Sequence, residues 1–307
     1  MTSRPIQIVV TPGSGEGRAL ATARRLRRRL ARRHRQAAIR SFDDLGALIQ
    51  WAETCGPEFS HVVCIGGDGT QSAAARAAMR HGVPFVPVPN GFGNVFASVF
   101  GHPRQAREVA ALLHAGEVRR VDVGLTRHGT IEEVFLSHRS FGFLEHVQQV
   151  AERGRKQPRA RFLRLLWYFG VAYRFLFRSR LAGFTVEVDG TQVADDAVLV
   201  TVANVETYRG FLPLTPAASP IDGLFDVAVV PRVSKAVLLA GLMTARLGRR
   251  ARWRGLRIHR GRRVVVTTPR RREEIVVQRG ALPLLVPAGA IEELQRRTIE
   301  DEPPLPA

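Results

Sequence analysis

The chain has 307 residues, of which 45% are hydrophobic and 7% aromatic; this is enough for one large domain or two smaller ones and excludes a disordered chain. A formal net charge of +19, nearly all from arginine, favours polyanionic partners such as nucleotides, nucleic acid or an anionic membrane, although solvated arginines in an arginine-rich proteome would look the same. The sequence contains no bilayer-length apolar run, no signal-peptide pattern and no cysteine spacing typical of disulfides or zinc. We therefore expect a cytoplasmic protein, with peripheral contact at the inner face of the membrane as an option.

The first part of the chain alternates predicted strands and helices. Apolar runs flanked by glycine or proline predict the strands, and leucines or alanines at helical spacing predict the helices. This alternation is typical of a parallel sheet with helices on both faces. The predicted strands cover 5–10, 37–42, 61–65 and 83–88, and the predicted helices cover 18–35, a segment beginning near Asp43 and Asp44, and 70–80.

The pattern changes after the segment 118–124. Residues 184–205 alternate apolar and polar side chains around Asp189–Gly190, which predicts an antiparallel hairpin. We therefore expect an α/β domain over 1–122 and an antiparallel β-sandwich domain over 123–286, with a tail of about 287–307 that could pack back on the first domain. Further short strands are predicted at 225–230, 262–268, 273–278 and 282–286.

The arginine-rich segment 159–180 has the periodicity of a helix. One side carries Phe162, Leu165 and Phe169, and arginines lie on another side. A core-facing helix with solvated arginines is favoured, because wide apolar stripes are ordinary in globular helices. A helix at a membrane surface is the alternative.

The sequence GGDGT at 66–70 follows the third predicted strand and precedes a helix. Glycines at such a point let backbone N–H groups approach phosphate, and the helix N-terminus adds positive potential. Asp68 would repel phosphates unless a divalent cation or a substrate hydroxyl lay between them, so the loop indicates metal–nucleotide chemistry. A tight turn in which Asp68 is only the N-cap is the structural alternative.

Two more glycine-containing loops follow neighbouring strands, TPGSGEG at 11–17 and PNGFGN at 89–94. They match neither the Walker A sequence nor the dinucleotide-binding fingerprint. The set of three resembles the diacylglycerol kinase catalytic-domain family, which includes bacterial lipid kinases and sphingosine kinases and is related to NAD kinases. In that family the loops read NPxSGxG, GGDGTxNE and PxGTGND, and a DGLLDV strand follows later, matched here by DGLFDV at 222–227. The resemblance extends from about residue 5 to residue 230.

The resemblance implies specific binding residues. Asp222 matches a position that helps to bind a structural magnesium ion in bacterial lipid kinases, with main-chain oxygens near Ser219 and Leu224 completing that site. The loop residues are expected to hold the phosphates of ATP. They are Thr11, Pro12, Ser14 and Gly15 in the first loop, Gly66, Gly67, Asp68, Gly69 and Thr70 in the second, and Gly91, Gly93 and Asn94 in the third.

The sequence departs from the family at several acids. Ala73 stands where the second motif has Glu, and Val95 stands where the third has Asp. The family's DGE, whose glutamate is the proposed general base, corresponds here to Arg279–Gly280–Ala281, and nothing places the nearby Glu273 and Glu274 on the site. Asp68 becomes the leading candidate for the base, a role that its counterpart has in sphingosine kinases.

The resemblance thus implies an ATP-dependent lipid kinase that uses Mg²⁺ and phosphorylates a lipid alcohol such as diacylglycerol. A nucleotide-binding pseudo-kinase of the same fold is the alternative that the missing acids favour. Nucleic-acid binding is disfavoured, because the arginines of 24–35 alternate with core leucines. The sequence does not identify the lipid, exclude NAD as the acceptor or fix the oligomeric state.

Overall fold

The computed structural model describes residues 4–11, 17–91, 93–142, 145, 170, 183–206, 214–246, 253, 255–268 and 271–301. The strands are β1 (Ile6–Val10), β2 (Ala37–Ser41), β3 (His61–Gly66), β4 (Phe85–Pro89), β5 (Glu117–His128), β6 (Ile131–Phe135), β7 (His138–Gly142), β8 (Phe184–Val188), β9 (Thr191–Ala203), β10 (Phe225–Pro231), β11 (Arg257–Gly261), β12 (Arg263–Thr267) and β13 (Arg272–Val286). The helices are α1 (Arg18–Ala31), α2 (Leu45–Thr54), α3 (Asp68–His81), α4 (Val95–Val99), α5 (Ala106–Ala115), α6 (Lys235–Arg246) and α7 (Ala290–Asp301).

The first four strands form a parallel sheet in the order β4-β3-β1-β2. Successive side chains of a strand point to opposite faces. Ile6 and Ile8 of β1 accordingly pack with α1 and α5, whereas Val9 packs in a separate apolar cluster with α2 and α3. Helices therefore cover both faces, which confirms the predicted α/β architecture.

Helix α1 shows how the arginine-rich sequence folds. Leu26 and Leu30 are buried against the sheet at helical spacing. The arginines before, between and after these two leucines point into solvent, so the helix carries an exposed cationic face. The exposed arginines are Arg24, Arg25, Arg27, Arg28, Arg29, Arg32 and Arg33.

The later strands pair mainly antiparallel and enclose a third apolar cluster. The hairpin of β8 and β9 turns at Asp189 (φ 48°) and Gly190 (φ 84°), the two positive φ angles that a type I′ turn requires. The predicted antiparallel β-domain is thus confirmed.

Strand β13 joins the two parts of the molecule. It runs antiparallel to β5 over most of its length and pairs in parallel with β4 through Leu284 and Phe85. The predicted division at residue 122 falls inside β5. Beyond β13, Leu294 of α7 packs in the cluster that also contains Leu48 of α2.

Several predictions concern segments outside the described residues. They include the helix over 159–180, apart from Gly170, and most of the first glycine loop, 12–16. Within the described part of the chain, no helix is both long and apolar enough to cross a bilayer.

Candidate functional site

The glycine loops converge at the carboxyl ends of β1, β3 and β4. The Oγ1 atoms of Thr11, which follows β1, and Thr70, at the start of α3, lie 3.2 Å apart. A Cβ built on Gly91, which follows β4, would lie only 2.7 Å from the Cα of Gly67, which follows β3. The second and third loops can therefore approach this closely only because residue 91 is glycine.

The turn from β3 into α3 is equally tight. A Cβ on Gly66 would lie 2.7 Å from the Cβ of Thr70. The side-chain amide of Gln71 donates to the carbonyl oxygen of Gly66 (3.0 Å), which fixes the end of the strand against the first helical turn. The N-cap of α3 is Gly67, without a side-chain capping bond, so Asp68 is not the N-cap that the structural alternative assumes.

The Asp68 carboxylate instead crosses to the third loop. It accepts hydrogen bonds from the backbone N–H groups of Asn94, Val95 and Phe96, and burial raises its pKa in spite of them. A Cβ on Gly93 would lie 2.7 Å from Asp68 Oδ2, so glycine is needed for this approach. The second and third loops are thus connected through one carboxylate.

The other Asp68 oxygen, Oδ1, is buried and has no hydrogen-bond partner among the described residues. An unsatisfied buried carboxylate oxygen is costly, which favours a cation or a hydroxyl beside it in the functional state. Carboxylate oxygen is a preferred ligand of Mg²⁺, and backbone N–H groups at a helix N-terminus are suited to binding phosphate. The residues present at the loop junction therefore fit a magnesium nucleotide.

The side chain of Asn94 binds within its own loop, whereas a contact with the nucleotide was expected. It is fully buried in the left-handed region (φ 49°), and its side chain accepts from the N–H of Gly91 (2.8 Å) and donates to the carbonyl of the same residue. It therefore closes its own loop. Its predicted role in binding the nucleotide stays a prediction, as do those of Pro12, Ser14 and Gly15 outside the described residues.

The three positions at which the family resemblance implies acids all contact one apolar cluster. Ala73 and Val95 are buried in one apolar cluster, and Ala281 packs against the same cluster. Apolar packing thus replaces all three carboxylates. Glu273, by contrast, is buried between Arg139 (3.4 Å) and Arg271 (2.5 Å), which gives it a structural environment.

A second polar centre surrounds the turn at Asp222 and Gly223, which we call the DG turn. Asp222 Oδ1 accepts from the N–H of Leu224 (2.9 Å), and Asp222 Oδ2 accepts from Arg260. Desolvation raises the pKa of Asp222, while the Leu224 amide and the Arg260 guanidinium oppose that shift. Ser219 is buried beside this turn.

Asp122 is the residue of this centre that sequence reasoning missed. It is buried in β5, and its two oxygens accept from the N–H groups of Gly223 and Gly280, each at 2.7 Å. The available signal was an acid flanked by valines, Val121 and Val123, in the segment 118–124. Asp122 thereby connects the DG turn to the Arg279–Gly280–Ala281 segment.

The donor set at the DG turn does not fit a magnesium ion. Both oxygens of Asp222 and both oxygens of Asp122 already accept hydrogen bonds. Across the described residues, no three His, Cys, Asp or Glu side chains are grouped as a metal site. The metal predicted at Asp222, Ser219 and Leu224 stays a prediction that this arrangement disfavours.

Comparison with known families identifies two successive matches along the chain. Residues 5–126 match the diacylglycerol kinase catalytic domain. Residues 140–284 match the YegS C-terminal NAD kinase beta sandwich-like domain. The two matches follow the α/β and antiparallel parts of the fold.

Curated relatives are similar at modest identity. A protein named diacylglycerol kinase from Mycobacterium tuberculosis is 30% identical over 181 residues, covering 58% of this chain and 57% of the relative. A probable lipid kinase YegS-like from Stenotrophomonas maltophilia is 30% identical over 203 residues, covering 61% and 59%. The matched part thus spans less than two thirds of either relative.

A solved structure agrees over nearly the whole chain. The crystal structure of a putative diacylglycerol kinase from Bacillus anthracis str. Sterne superposes with a TM-score of 0.70, covering 94% of this chain and 99% of that one. The sequence identity is 18%, so this likeness shows the fold alone.

Proposed function

We propose that the chain, whose residues 5–126 match the diacylglycerol kinase catalytic domain and whose residues 140–284 match the YegS C-terminal domain, is an ATP-dependent lipid kinase that phosphorylates the hydroxyl of a lipid alcohol such as diacylglycerol. The observation that carries the proposal is the buried, unpartnered Oδ1 of Asp68 at the junction of the glycine loops. A buried carboxylate oxygen without a partner is costly, which favours a cation or a reacting hydroxyl beside it.

In this proposal the glycine loops bind the phosphates and Asp68 handles the proton. The acceptor hydroxyl oxygen bonds to the γ-phosphorus, the bond to the β-phosphate oxygen breaks, and ADP leaves. The hydroxyl proton passes to Asp68, whose pKa burial raises toward the range of an effective base. Asp68 would also contribute a ligand to Mg²⁺, and the ion would supply charge neutralisation for the phosphates.

Backbone hydrogen bonds position the Asp68 side chain for this role. The N–H groups of Asn94, Val95 and Phe96 hold the carboxylate, which leaves Oδ1 free of protein donors among the described residues. A carboxylate held in this way needs little reorganisation when substrate arrives, which is how positioned groups accelerate phosphoryl transfer.

We further propose that the lipid is taken from an anionic membrane surface. The seven exposed arginines of α1 and its C-terminal end, within 24–33, form a continuous cationic face. Each basic residue near an anionic bilayer contributes about 1 kcal/mol of attraction at low salt. The face supports peripheral attachment without a membrane-spanning helix.

A nucleotide-binding pseudo-kinase is the second candidate. The specific observation in its favour is the apolar cluster that contains Ala73 and Val95 and receives Ala281 in place of three family acids. If general-base catalysis from that side is absent, the loss is about 10²–10⁴-fold. Binding without transfer would then be the function.

Two readouts on the same protein separate these candidates. Calorimetry with Mg–ATP measures nucleotide binding, and ADP release with and without diacylglycerol vesicles measures transfer. The kinase proposal expects binding together with lipid-stimulated ADP release. Binding with no stimulation by any lipid alcohol would instead favour the pseudo-kinase, and absence of binding would refute both.

A further inference from the structure

One guanidinium bridges two carboxylates beside the DG turn. Arg260 lies on β11 directly opposite Asp226 of β10, and its Nε donates to Asp226 Oδ1 at 3.1 Å. Its NH2 group donates to Asp222 Oδ2. Asp226 is only 3% exposed, so its charge requires a partner in the folded protein.

The surroundings of the turn add further positive charge. The aliphatic stem of Arg279 lies over Gly223, with its Cδ 3.1 Å from the position that a Cβ on that glycine would take. Arg120 donates to the carbonyl oxygen of Gly280 (3.2 Å), and Gly280 is held to the turn through Asp122. Arginines from three strands thus lie either at the turn or at the Gly280 segment that Asp122 connects to it.

We propose that Arg260 occupies the cation position of the DG turn, so that the turn keeps its shape without a divalent metal ion. Mg²⁺ requires nearly octahedral oxygen ligands and loses its hydration water reluctantly. A planar guanidinium bridges two carboxylates by directed hydrogen bonds and needs no such coordination shell. The chain thereby carries its own structural cation.

The first test measures the magnesium content of the full chain after dialysis against millimolar Mg²⁺ without nucleotide. We expect no magnesium that depends on Asp222 and, in the Asp68→Asn variant, no change of Tm on adding EDTA. Binding of one equivalent of magnesium that is lost in Asp222→Asn would overturn the proposal. One equivalent of magnesium that is lost in Asp68→Asn instead belongs to the glycine loops, and this result is consistent with the proposal.

The second test measures the contribution of Arg260 itself. Arg260→Ala leaves the buried Asp226 without this partner and is expected to lower Tm by at least about 4 °C. Arg232→Ala is the matched control, because Arg232 forms an ion pair with Asp196 in which both side chains are exposed. That control should lower Tm by less than about 2 °C.

Equal Tm losses in the two variants would overturn the role of Arg260. If Arg260→Ala does not fold, Arg260→Lys is measured in the same way. A single ammonium group lacks the fork geometry that spans both carboxylates, so a partial loss of Tm is expected and an unchanged Tm would contradict the proposal. Neither test uses ATP or lipid, so both remain decisive if the chain proves to have no kinase activity.

Discussion

Replacing Asp68 by asparagine is the substitution whose effects follow most directly from the site geometry. The change keeps the size of the side chain and an oxygen that can accept from the amides at 94–96. It removes the negative charge and the capacity to take a proton. We therefore expect transfer to fall by at least about 10²-fold, the usual contribution of a positioned acid–base group.

The same change should not destabilise the fold at neutral pH. Because burial raises the pKa of Asp68 above 3.8, the folded state holds this proton more tightly than the unfolded state. The stabilisation from the protonated form is complete below 3.8 and is lost as the pH rises through the folded-state pKa. Asparagine avoids that loss, at the cost of a weakened hydrogen bond of about 1 kcal/mol.

Urea denaturation at several pH values measures the stability difference, and labelled-phosphate transfer measures the activity. The stability of Asp68→Asn relative to wild type should improve as the pH rises from 4 to 7. Asp44→Asn is the matched control, since Asp44 caps α2 through Ala47 (2.8 Å) and asparagine caps equally well. Unchanged transfer in Asp68→Asn would remove Asp68 from the mechanism.

Four more outcomes follow from the structure. Gly91→Ala should lower the free energy of unfolding in urea by about 1–3 kcal/mol, because the new Cβ would overlap the neighbouring loop. Gly69→Ala has nothing within 4 Å of its Cβ and should change that free energy by less than about 0.5 kcal/mol. Equal effects of the two variants would refute the close packing at Gly91. Burial lowers the pKa of His102 from 6.5 to about 4. The free energy of unfolding should therefore fall as the pH drops from 6.5 to 4. An equally steep dependence of that free energy on pH in His102→Gln would count against this reasoning. Arg279→Asp combined with Ala281→Glu should lower stability without raising turnover, because a carboxylate would enter the apolar cluster; faster transfer at unchanged calorimetric ATP affinity would favour the pseudo-kinase. Co-sedimentation with anionic vesicles should decrease steeply with salt, and equal binding to neutral vesicles would argue against an electrostatic contact.

Local sequence patterns were sufficient to predict the architecture. Alternating strands and helices predict the parallel sheet, and Asp189–Gly190 supplies the positive φ angles of the β8–β9 turn. The glycines at 66, 67, 69, 91 and 93 predict a backbone that can approach phosphate. These features depend on residues close together in the sequence, which is why they could be inferred without coordinates.

The contacts that define the two polar centres join distant parts of the chain. The bonds from Asp122 to Gly223 and Gly280 span 101 and 158 residues. Arg260 binds Asp222 only because β10 and β11 are adjacent in the sheet. No local pattern encodes such partners, so the resemblance implied a metal at Asp222 but could not indicate that Arg260 donates to the same carboxylate.

Transfer of labelled γ-phosphate from ATP tests the central claim most directly. The full-length wild-type protein is incubated with Mg–ATP and, in parallel, with anionic vesicles containing one lipid alcohol, with NAD, or with water as the only acceptor. The account predicts a labelled phospholipid from at least one lipid alcohol and no comparable product from NAD or water. Calorimetric ATP binding with no labelled lipid in any reaction, or labelling of NAD instead, would contradict it.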